Sequence, residues 1–590
     1  MTLKLESTVA MRLCRAFARH GVSITFGQSL PSMFHLAAPL AGIRQVVYRQ
    51  ENAGGAMADG YARISGKVGV VTAQNGPAAT LLVPPMAEAL KASIPLIALV
   101  QEVDRPNTDK NAFQDVDHFA LFAGVSKWTR RIDRADRLED LVDMAFVAAT
   151  SGQPGPVALL IPGDLLLEAS GDSSPRAASF GRYPLDRTVP DPEAIALAAE
   201  WLADANYPLI VAGGGVHSSG AAQALAALQE TAHLPVATTT MGKGSVDEGH
   251  ALSLGVVGYF MGHGSRTREL KSMVDRADVV LLIGNRTNAN GTSNWKLFSP
   301  TTRFIHLDIA PLEIGRNYEA LRLLGDARLG IAALSRAMAG RSLDKRKAAR
   351  LGAEQEIARA VGAWQRLVDT LRQSTEGPIR PERVMTEIEQ RITPTDIVVA
   401  DASYSTIWIA NYLTARRAGQ RFITPRGLAG LGWGLPLAIG AQVAAPDDRV
   451  VCVCGDGGFG HSWAELETLR RLNLPIVLIV LNNGILGFQK HAEDILFGDH
   501  TIACDFAEVD HAAIARACGI RGIRVESGGA LKAALDEAFA GKSPVLLDVM
   551  TDPAAAPPIT YFDGYGHDAF DAQRTTSVRT PHSPSLTGGE

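Results

Sequence analysis

An α/β protein of doubly wound parallel sheets is predicted by three features of this chain. Its strand-length apolar runs lack polar alternation, as strands covered on both faces do. Glycine-rich turns and stretches of helical apolar spacing follow them. One such plan also occurs twice: Lys67-Val-Gly-Val-Val-Thr72, a Gly-Pro turn, a helical stretch through Leu90 and Ile94-Pro-Leu-Ile-Ala-Leu-Val100 repeat the order of residues 449 to 483. That echo predicts duplicated units, three in all. At 590 residues the chain is too long for one core.

The elements follow in order. Met1-Thr-Leu-Lys-Leu-Glu-Ser-Thr holds no apolar stretch of signal-peptide length, and no later apolar run spans a membrane between charges, so a cytoplasmic location is expected. Gln45-Val-Val-Tyr48 reads as a strand, and Glu51 opens a small-residue helix, Ala53-Gly-Gly-Ala-Met-Ala, where the helix dipole favours a carboxylate whatever else it does. The Ser/Pro-rich stretch Gly171 to Pro192 reads as a linker, and Tyr207-Pro-Leu-Ile-Val-Ala-Gly-Gly-Gly215 opens a middle unit ending near Gly340. A charged helical connector, Leu343 to Gln373, leads to the last unit. The expected domains are 1–172, 190–340 and 375–552, with an extended or partly mobile tail at 553–590. A net charge of −5 without a basic stripe argues against nucleic acid. Five cysteines without a CxxC pair, two of them (Cys452 and Cys454) alternating in a buried strand, indicate reduced core residues.

The chemistry concentrates near the end of the chain. Arg449-Val-Val-Cys-Val-Cys454 and Pro475-Ile-Val-Leu-Ile-Val-Leu481 read as buried strands, joined by a helix in which Ser462 and Glu465 form a capping-box pattern and Leu466, Leu469 and Leu472 recur at helical spacing. A right-handed crossover brings the carboxyl ends of both strands to one sheet edge. There Gly455-Asp456-Gly457 meets Asn482-Asn483. The glycines let backbone N–H groups approach an anion, and the Asp456 carboxylate and Asn483 amide oxygen suit an octahedral magnesium that also takes diphosphate oxygens. Either half alone reads as an ordinary turn; together, each after a buried strand, they read as a magnesium–diphosphate site.

With these motifs the chain resembles the thiamine diphosphate enzymes, and among them the acetohydroxyacid (acetolactate) synthase branch. The resemblance rests further on Gln50-Glu-Asn-Ala-Gly-Gly-Ala-Met-Ala-Asp-Gly-Tyr-Ala-Arg63, Asn75-Gly-Pro77, Ala112-Phe-Gln-Asp115 and Gly430-Leu-Gly-Trp-Gly-Leu-Pro436, in order over nearly the whole chain. It implies a pyrimidine-binding, a central and a diphosphate-binding domain, each a doubly wound α/β unit. It also implies thiamine diphosphate and Mg2+ as cofactors, with Asp456, Asn483 and Ile485 around the metal. Asn75, Ser403, Tyr404, Ser405, Gly455, Gly457, Gly458, Asn483 and Leu486 would line the cofactor. Leu431 would wedge between its two rings, and the backbone of Ala429 and Leu431 would grip the pyrimidine edge. Glu51 would hydrogen-bond a pyrimidine ring nitrogen, favouring the imino tautomer, and Gln114 would face the reacting centre. Phe113 and Lys127 match pocket positions too, although Phe113 also reads as a core aromatic and Lys127 reads better as a surface lysine.

The chain also departs from the synthase pattern. Ser403, Tyr404 and Ser405 stand where synthases have Gly-Gln-His, with hydroxyls still able to donate to phosphate. Ala492 replaces the tryptophan that selects the second keto acid, and Leu30-Pro31 replaces Gly-Gly in the first pocket loop, so the acceptor pocket is expected to be rebuilt. Gly213, Gly214, Gly215, Arg286, Asp308 and Asp326 resemble the synthases' FAD surface, although Asn288-Ala-Asn290 replaces the acidic-basic pattern of flavin-containing relatives. The implied activity is acetolactate synthase-like carboligation from a 2-oxo acid by a homodimer or homotetramer. A carbon–carbon lyase or decarboxylase on the same scaffold is the alternative. A non-catalytic homologue is expected to lose Glu51 or a metal ligand, and this chain keeps both.

Overall fold

The computed structural model describes residues 5–171 and 176–563. Eighteen strands form three six-stranded sheets in which all neighbouring strands run parallel. The first sheet holds β1 (Ile24–Phe26), β2 (Arg44–Val46), β3 (Gly69–Ala73), β4 (Leu96–Glu102), β5 (Trp128–Arg131) and β6 (Val157–Pro162). The middle sheet holds β7 (Pro208–Ala212), β8 (Val236–Thr238), β9 (Ser253–Val256), β10 (Val279–Ile283), β11 (Arg303–Asp308) and β12 (Ala320–Leu324). The third holds β13 (Ile397–Ala400), β14 (Phe422–Ile423), β15 (Val450–Gly455), β16 (Val477–Asn482), β17 (Arg521–Val525) and β18 (Val545–Met550).

Strand order shows which units repeat. The first sheet runs β2-β1-β3-β4-β6-β5 and the third β14-β13-β15-β16-β18-β17, the same order position for position. The middle sheet runs β12-β11-β10-β7-β8-β9, the arrangement of dinucleotide-binding folds. The expected threefold similarity is therefore corrected to a twofold one: a strand–turn–helix–strand segment is common to both orders and does not reveal how the sheet is wound.

The first and third units share one core. Tyr48, Met57 and Val71 of the former are buried with Leu435, Ile439 and Cys452 of the latter. Between them cross the helices Glu51–Ser65 and Gly434–Ala444, and each has a glycine at the crossing. A Cβ on Gly60 would lie 2.2 Å from the Leu437 carbonyl oxygen, and one on Gly440 only 1.9 Å from that of Met57. Gly440→Ala is accordingly expected to cost ~1–3 kcal/mol or more, as overpacking does, because the obstacle is backbone and cannot rotate away. Denaturant unfolding checks this, and an unchanged midpoint would contradict the packing.

Two local readings are corrected. The helix Glu465–Leu472 has Ala464 at its N-cap with no side-chain cap bond. Ser462 donates instead to the Phe459 carbonyl, and Glu465 points across to the first unit, so the capping box does not form. The tail is packed down at its start: Ile559 and Phe562 are buried with Phe260, Ile407 and Ala492, because an apolar pair of this size gains by leaving water. Residues 564–590, and 172–175 of the expected linker, lie outside the described residues. Arg187, later in that linker, pairs with Asp326 at 2.8 Å. Among the described residues no helix is long and apolar enough to cross a membrane. All five cysteines are free, the sulfurs of Cys452 and Cys454 lying 3.6 Å apart.

Candidate active site

In an open parallel sheet the crevice forms outside the strand ends where the winding reverses. In the third sheet that point lies between β13 and β15, and the turns after β13, β15 and β16 surround a cavity of about 350 Å³. Ser403, Tyr404, Ser405, Ala429, Leu431, Gly455, Asp456, Gly457, Gly458, Asn483, Ile485 and Leu486 all line it.

Asp456 begins the short helix after β15 and is 7% exposed. Its carboxylate accepts the Gly484 N–H at 3.0 Å, and burial pushes its pKa up to about 6. No cationic side chain pairs with it among the described residues, so the buried charge is left to backbone donors and to whatever enters the cavity. The described residues hold no group of three or more His, Cys, Asp or Glu side chains fit for a metal. A cation here would rest on one carboxylate, one amide and main-chain or ligand oxygens, which is the ligand set of magnesium rather than zinc. The two asparagines divide their tasks: Asn482 donates to Asp548 at 2.9 Å and to the Val509 carbonyl, whereas Asn483 lines the cavity.

Asp401, the residue after β13 and the first of the loop that carries Ser403, Tyr404 and Ser405, has a partner that the sequence did not indicate. It is 1% exposed and accepts the N–H groups of Gly432 at 2.9 Å and Trp433 at 3.2 Å, anchoring the loop that carries Ala429 and Leu431. Leu431 itself remains 37% exposed, available as an apolar wedge. The hydroxyl expected of Tyr404 as a phosphate donor is committed elsewhere. It lies 2.6 Å from Nδ1 of His491, whose Nε2 lies 3.1 Å from the Pro553 carbonyl. In the neutral ring Nε2 therefore carries the proton, and the single Tyr404 hydroxyl proton serves Nδ1 and the Gly487 carbonyl, 3.0 Å away. Burial lowers the His491 pKa, in keeping with a neutral ring.

Glu51, Asn75 and Gln114 stand on a different wall and do not line this cavity. Glu51 starts its helix, and burial raises its carboxyl pKa. Asn75 donates to the carbonyls of Phe113 at 3.3 Å and Gln114 at 3.0 Å, and the amides of Gln74 and Gln114 are hydrogen-bonded. Gly76, at φ 61°, leaves no room for a Cβ, which would meet the Gln114 carbonyl at 2.5 Å. Its N–H donates to His118 Nε2 at 3.3 Å, His118 Nδ1 lies 3.2 Å from Glu102, and Glu102 is paired with Arg131. His118 thus fixes the turn that holds Gln114. A lone histidine beside the Phe113 motif gave no signal of this, because both partners come from other strands.

Three of the remaining expectations are revised. Phe113 is 84% exposed, neither a core aromatic nor a wall of the cavity. Lys127 is exposed, as a surface lysine is, and its ammonium donates to the carbonyls of Ala148 and Gln153 at the end of helix Leu138–Thr150. Ala492 is 8% exposed and packs in the cluster with Ile559 and Phe562. Its neighbours in that cluster come from the chain's own C-terminal segment, and Ala492 does not line the cavity. Pro31 is buried at the start of helix Ser32–Ala37 and does not line it either.

The middle sheet has a second cleft at its own reversal point, between β7 and β10. Gly213, Gly214, Gly215, Arg286, Asp308 and Asp326 all line it. Arg286 donates to the Lys91 carbonyl and, at 2.7 Å, to Ser93 Oγ, so it clamps the first unit to the middle one. Asp326 caps helix Ala327–Ala339 and pairs with Arg187. Burial pushes the Asp308 pKa up to about 6. Arg421 and Arg426, which sequence reasoning did not single out, also line the cleft, and their buried Nε atoms have no acceptor among the described residues.

Three family models match the chain in sequence order: the thiamine pyrophosphate enzyme N-terminal TPP binding domain over residues 7–121, the central domain over 195–334 and the C-terminal TPP binding domain over 401–549. The chain is 33% identical over 567 residues to the probable acetolactate synthase large subunit of Methanococcus aeolicus, covering 93% of this chain and 92% of the relative. It is 33% identical over 558 residues to the acetolactate synthase large subunit of Parasynechococcus marenigrum, covering 92% and 87%. With the acetolactate synthase isozyme 2 large subunit of Escherichia coli it shares 31% identity over 551 residues, covering 92% and 95%.

Proposed function

The chain belongs to the thiamine pyrophosphate enzyme family, and from that premise we propose that it is a thiamine diphosphate- and magnesium-dependent enzyme of acetolactate synthase-like carboligation. It takes a 2-oxo acid, releases its carboxyl group as carbon dioxide and joins the remaining acyl unit to a second carbonyl compound. The observation that carries this reading is Asp456, a buried carboxylate without a cationic partner, beside Asn483 in one cavity at the sheet's reversal point.

The residues present suit the cofactor. Asp456 and Asn483, with the Ile485 backbone, would hold Mg2+, and the turn Gly455 to Gly458 would hold the diphosphate at a helix start. Ala429 and Leu431 would hold the rings. When bound, thiamine diphosphate supplies the electron sink for breaking and forming bonds beside a carbonyl carbon. The chain's own part is positional and protonic. Asp401 keeps the Ala429–Leu431 loop in place through two main-chain donors. Glu51, its proton affinity raised by burial, holds and returns a proton at its carboxyl oxygen. The His118 network keeps Gln114 oriented and the site wall closed.

That Glu51 and Gln114 do not share a cavity with Asp456 in one chain, while Phe113 stands exposed beside Gln114, supports a site completed by a second copy and hence at least a homodimer. A panel of 2-oxo acids, each with and without an aldehyde or second 2-oxo acid, tests the activity. Coupled products, formed from two molecules of one 2-oxo acid or with the added acceptor, are expected; free aldehyde as the main product whatever acceptor is present would mark a decarboxylase instead.

For the middle cleft the favoured ligand is FAD. The dinucleotide-type strand order, the glycine turn after β7 and the two guanidinium groups of Arg421 and Arg426 at the cleft, whose Nε atoms have no acceptor among the described residues, support it, since guanidinium groups suit a diphosphate. Denatured protein is expected to release flavin fluorescence. A colourless protein that takes up no added FAD would overturn this assignment without touching the first.

A further inference from the structure

The first and third sheets share one strand order, so the helices that follow β3 and β15 occupy equivalent places: Val83–Ala92 and Glu465–Leu472. Each carries one buried glutamate, and each glutamate reaches out of its own unit into the other. Glu465, 1% exposed, accepts the Arg49 N–H at 3.0 and 3.2 Å and the Gln50 N–H at 3.1 Å, while Thr468 donates to it at 2.7 Å. Glu88, 3% exposed, accepts the Gly427 N–H at 2.7 Å and the Leu428 N–H at 2.5 Å. The targets are equivalent too. Residues 49 and 50 lead directly into Glu51 at its helix start, and residues 427 and 428 lead into Ala429 and Leu431 ahead of the helix Gly434–Ala444.

A buried carboxylate is a costly way to hold two units together, and apolar packing would do it at less expense. What a carboxylate offers instead is a charged acceptor that fixes the direction of two consecutive N–H groups, one oxygen serving both in Glu465 and one oxygen serving each in Glu88. We propose that Glu88 and Glu465 are a reciprocal pair of positioning residues: Glu465 sets the turn that delivers Glu51, and Glu88 sets the loop that delivers Ala429 and Leu431. Neither touches the reacting atoms. Each acts through main chain, and the inference rests on the thiamine diphosphate reading of those two walls.

The two braces predict separable defects. Glutamine keeps the shape but exchanges a charged acceptor for a neutral amide. At Glu88 its NH2 faces one of the two N–H groups and leaves that donor unpaired. At Glu465, whose Oε1 takes both N–H groups, it weakens a charge-assisted acceptor and turns the NH2 toward the Thr468 hydroxyl. In the cofactor-free protein, Glu465→Gln should speed amide hydrogen exchange at Arg49 and Gln50, and Glu88→Gln at Gly427 and Leu428, each by ~10-fold or more. With cofactor and Mg2+, Glu88→Gln should weaken thiamine diphosphate binding by ~10-fold or more while Glu465→Gln leaves it within about twofold. Glu465→Gln should instead lower kcat with the KM for the 2-oxo acid unchanged. Thr468→Val, which removes the hydroxyl that aims Glu465 and leaves the carboxylate, should reproduce its defect in weaker form even if Glu465→Gln folds poorly. Equal losses of affinity and kcat in both glutamine variants, or unchanged exchange at the four amides, would overturn the proposal. Wild-type protein that binds no thiamine diphosphate would overturn the functional reading instead, and the exchange experiment on cofactor-free protein would still decide whether the braces exist.

Discussion

Asp456→Ala is expected to abolish metal-dependent cofactor binding while the fold persists. The substitution removes a cavity-lining carboxylate that has no cationic partner among the described residues, and burial that pushes its pKa up to about 6 disfavours that charge without a cation. Removing a mere supporting partner of a metal ligand costs ~10–100-fold in affinity, and removal of the ligand itself should exceed that. The apo protein should be no less stable than wild type, since an uncompensated buried charge has gone. Titration of thiamine diphosphate with and without Mg2+, together with unfolding of the apo forms, checks both halves. Mg2+-dependent binding of wild-type strength by the variant would remove Asp456 from the metal site.

Glu51→Gln should behave in the opposite way, leaving cofactor affinity largely intact and slowing turnover by ~10²-fold or more, the range typical of a lost general acid–base group. Glutamine keeps the hydrogen-bonding shape at the start of helix Glu51–Ser65 but cannot exchange a proton. Burial already lifts the Glu51 carboxyl toward the pH at which it can share one. Steady-state turnover set beside cofactor titration separates the two effects. Turnover near the wild-type rate would exclude Glu51 from proton transfer, whereas a parallel loss of affinity would make it a binding residue.

What the sequence determined by itself is local. Apolar runs such as Val450–Gly455 and Val477–Asn482 are legible as strands because a strand buried on both faces needs continuous apolar side chains. The turns that follow are legible because an anion and a hard cation demand glycines, a carboxylate and an amide at strand ends, wherever the rest of the chain goes. The residues carried by those turns, from Ser403 to Leu486, accordingly gather in one cavity.

Only the tertiary structure decided the partnerships. Glu465 reads as a cap in its own helix, yet its acceptors serve Arg49 and Gln50, more than four hundred residues away. Glu88, Asp401 and His118 carry no local pattern that names their partners, and their roles follow from loops brought against them by other strands. Ala492 promised open space, yet it packs with Ile559 and Phe562. Strand and turn chemistry is set by neighbours along the chain, whereas a buried polar group takes whichever partner the packed units bring within hydrogen-bond reach, and desolvation requires that it take one.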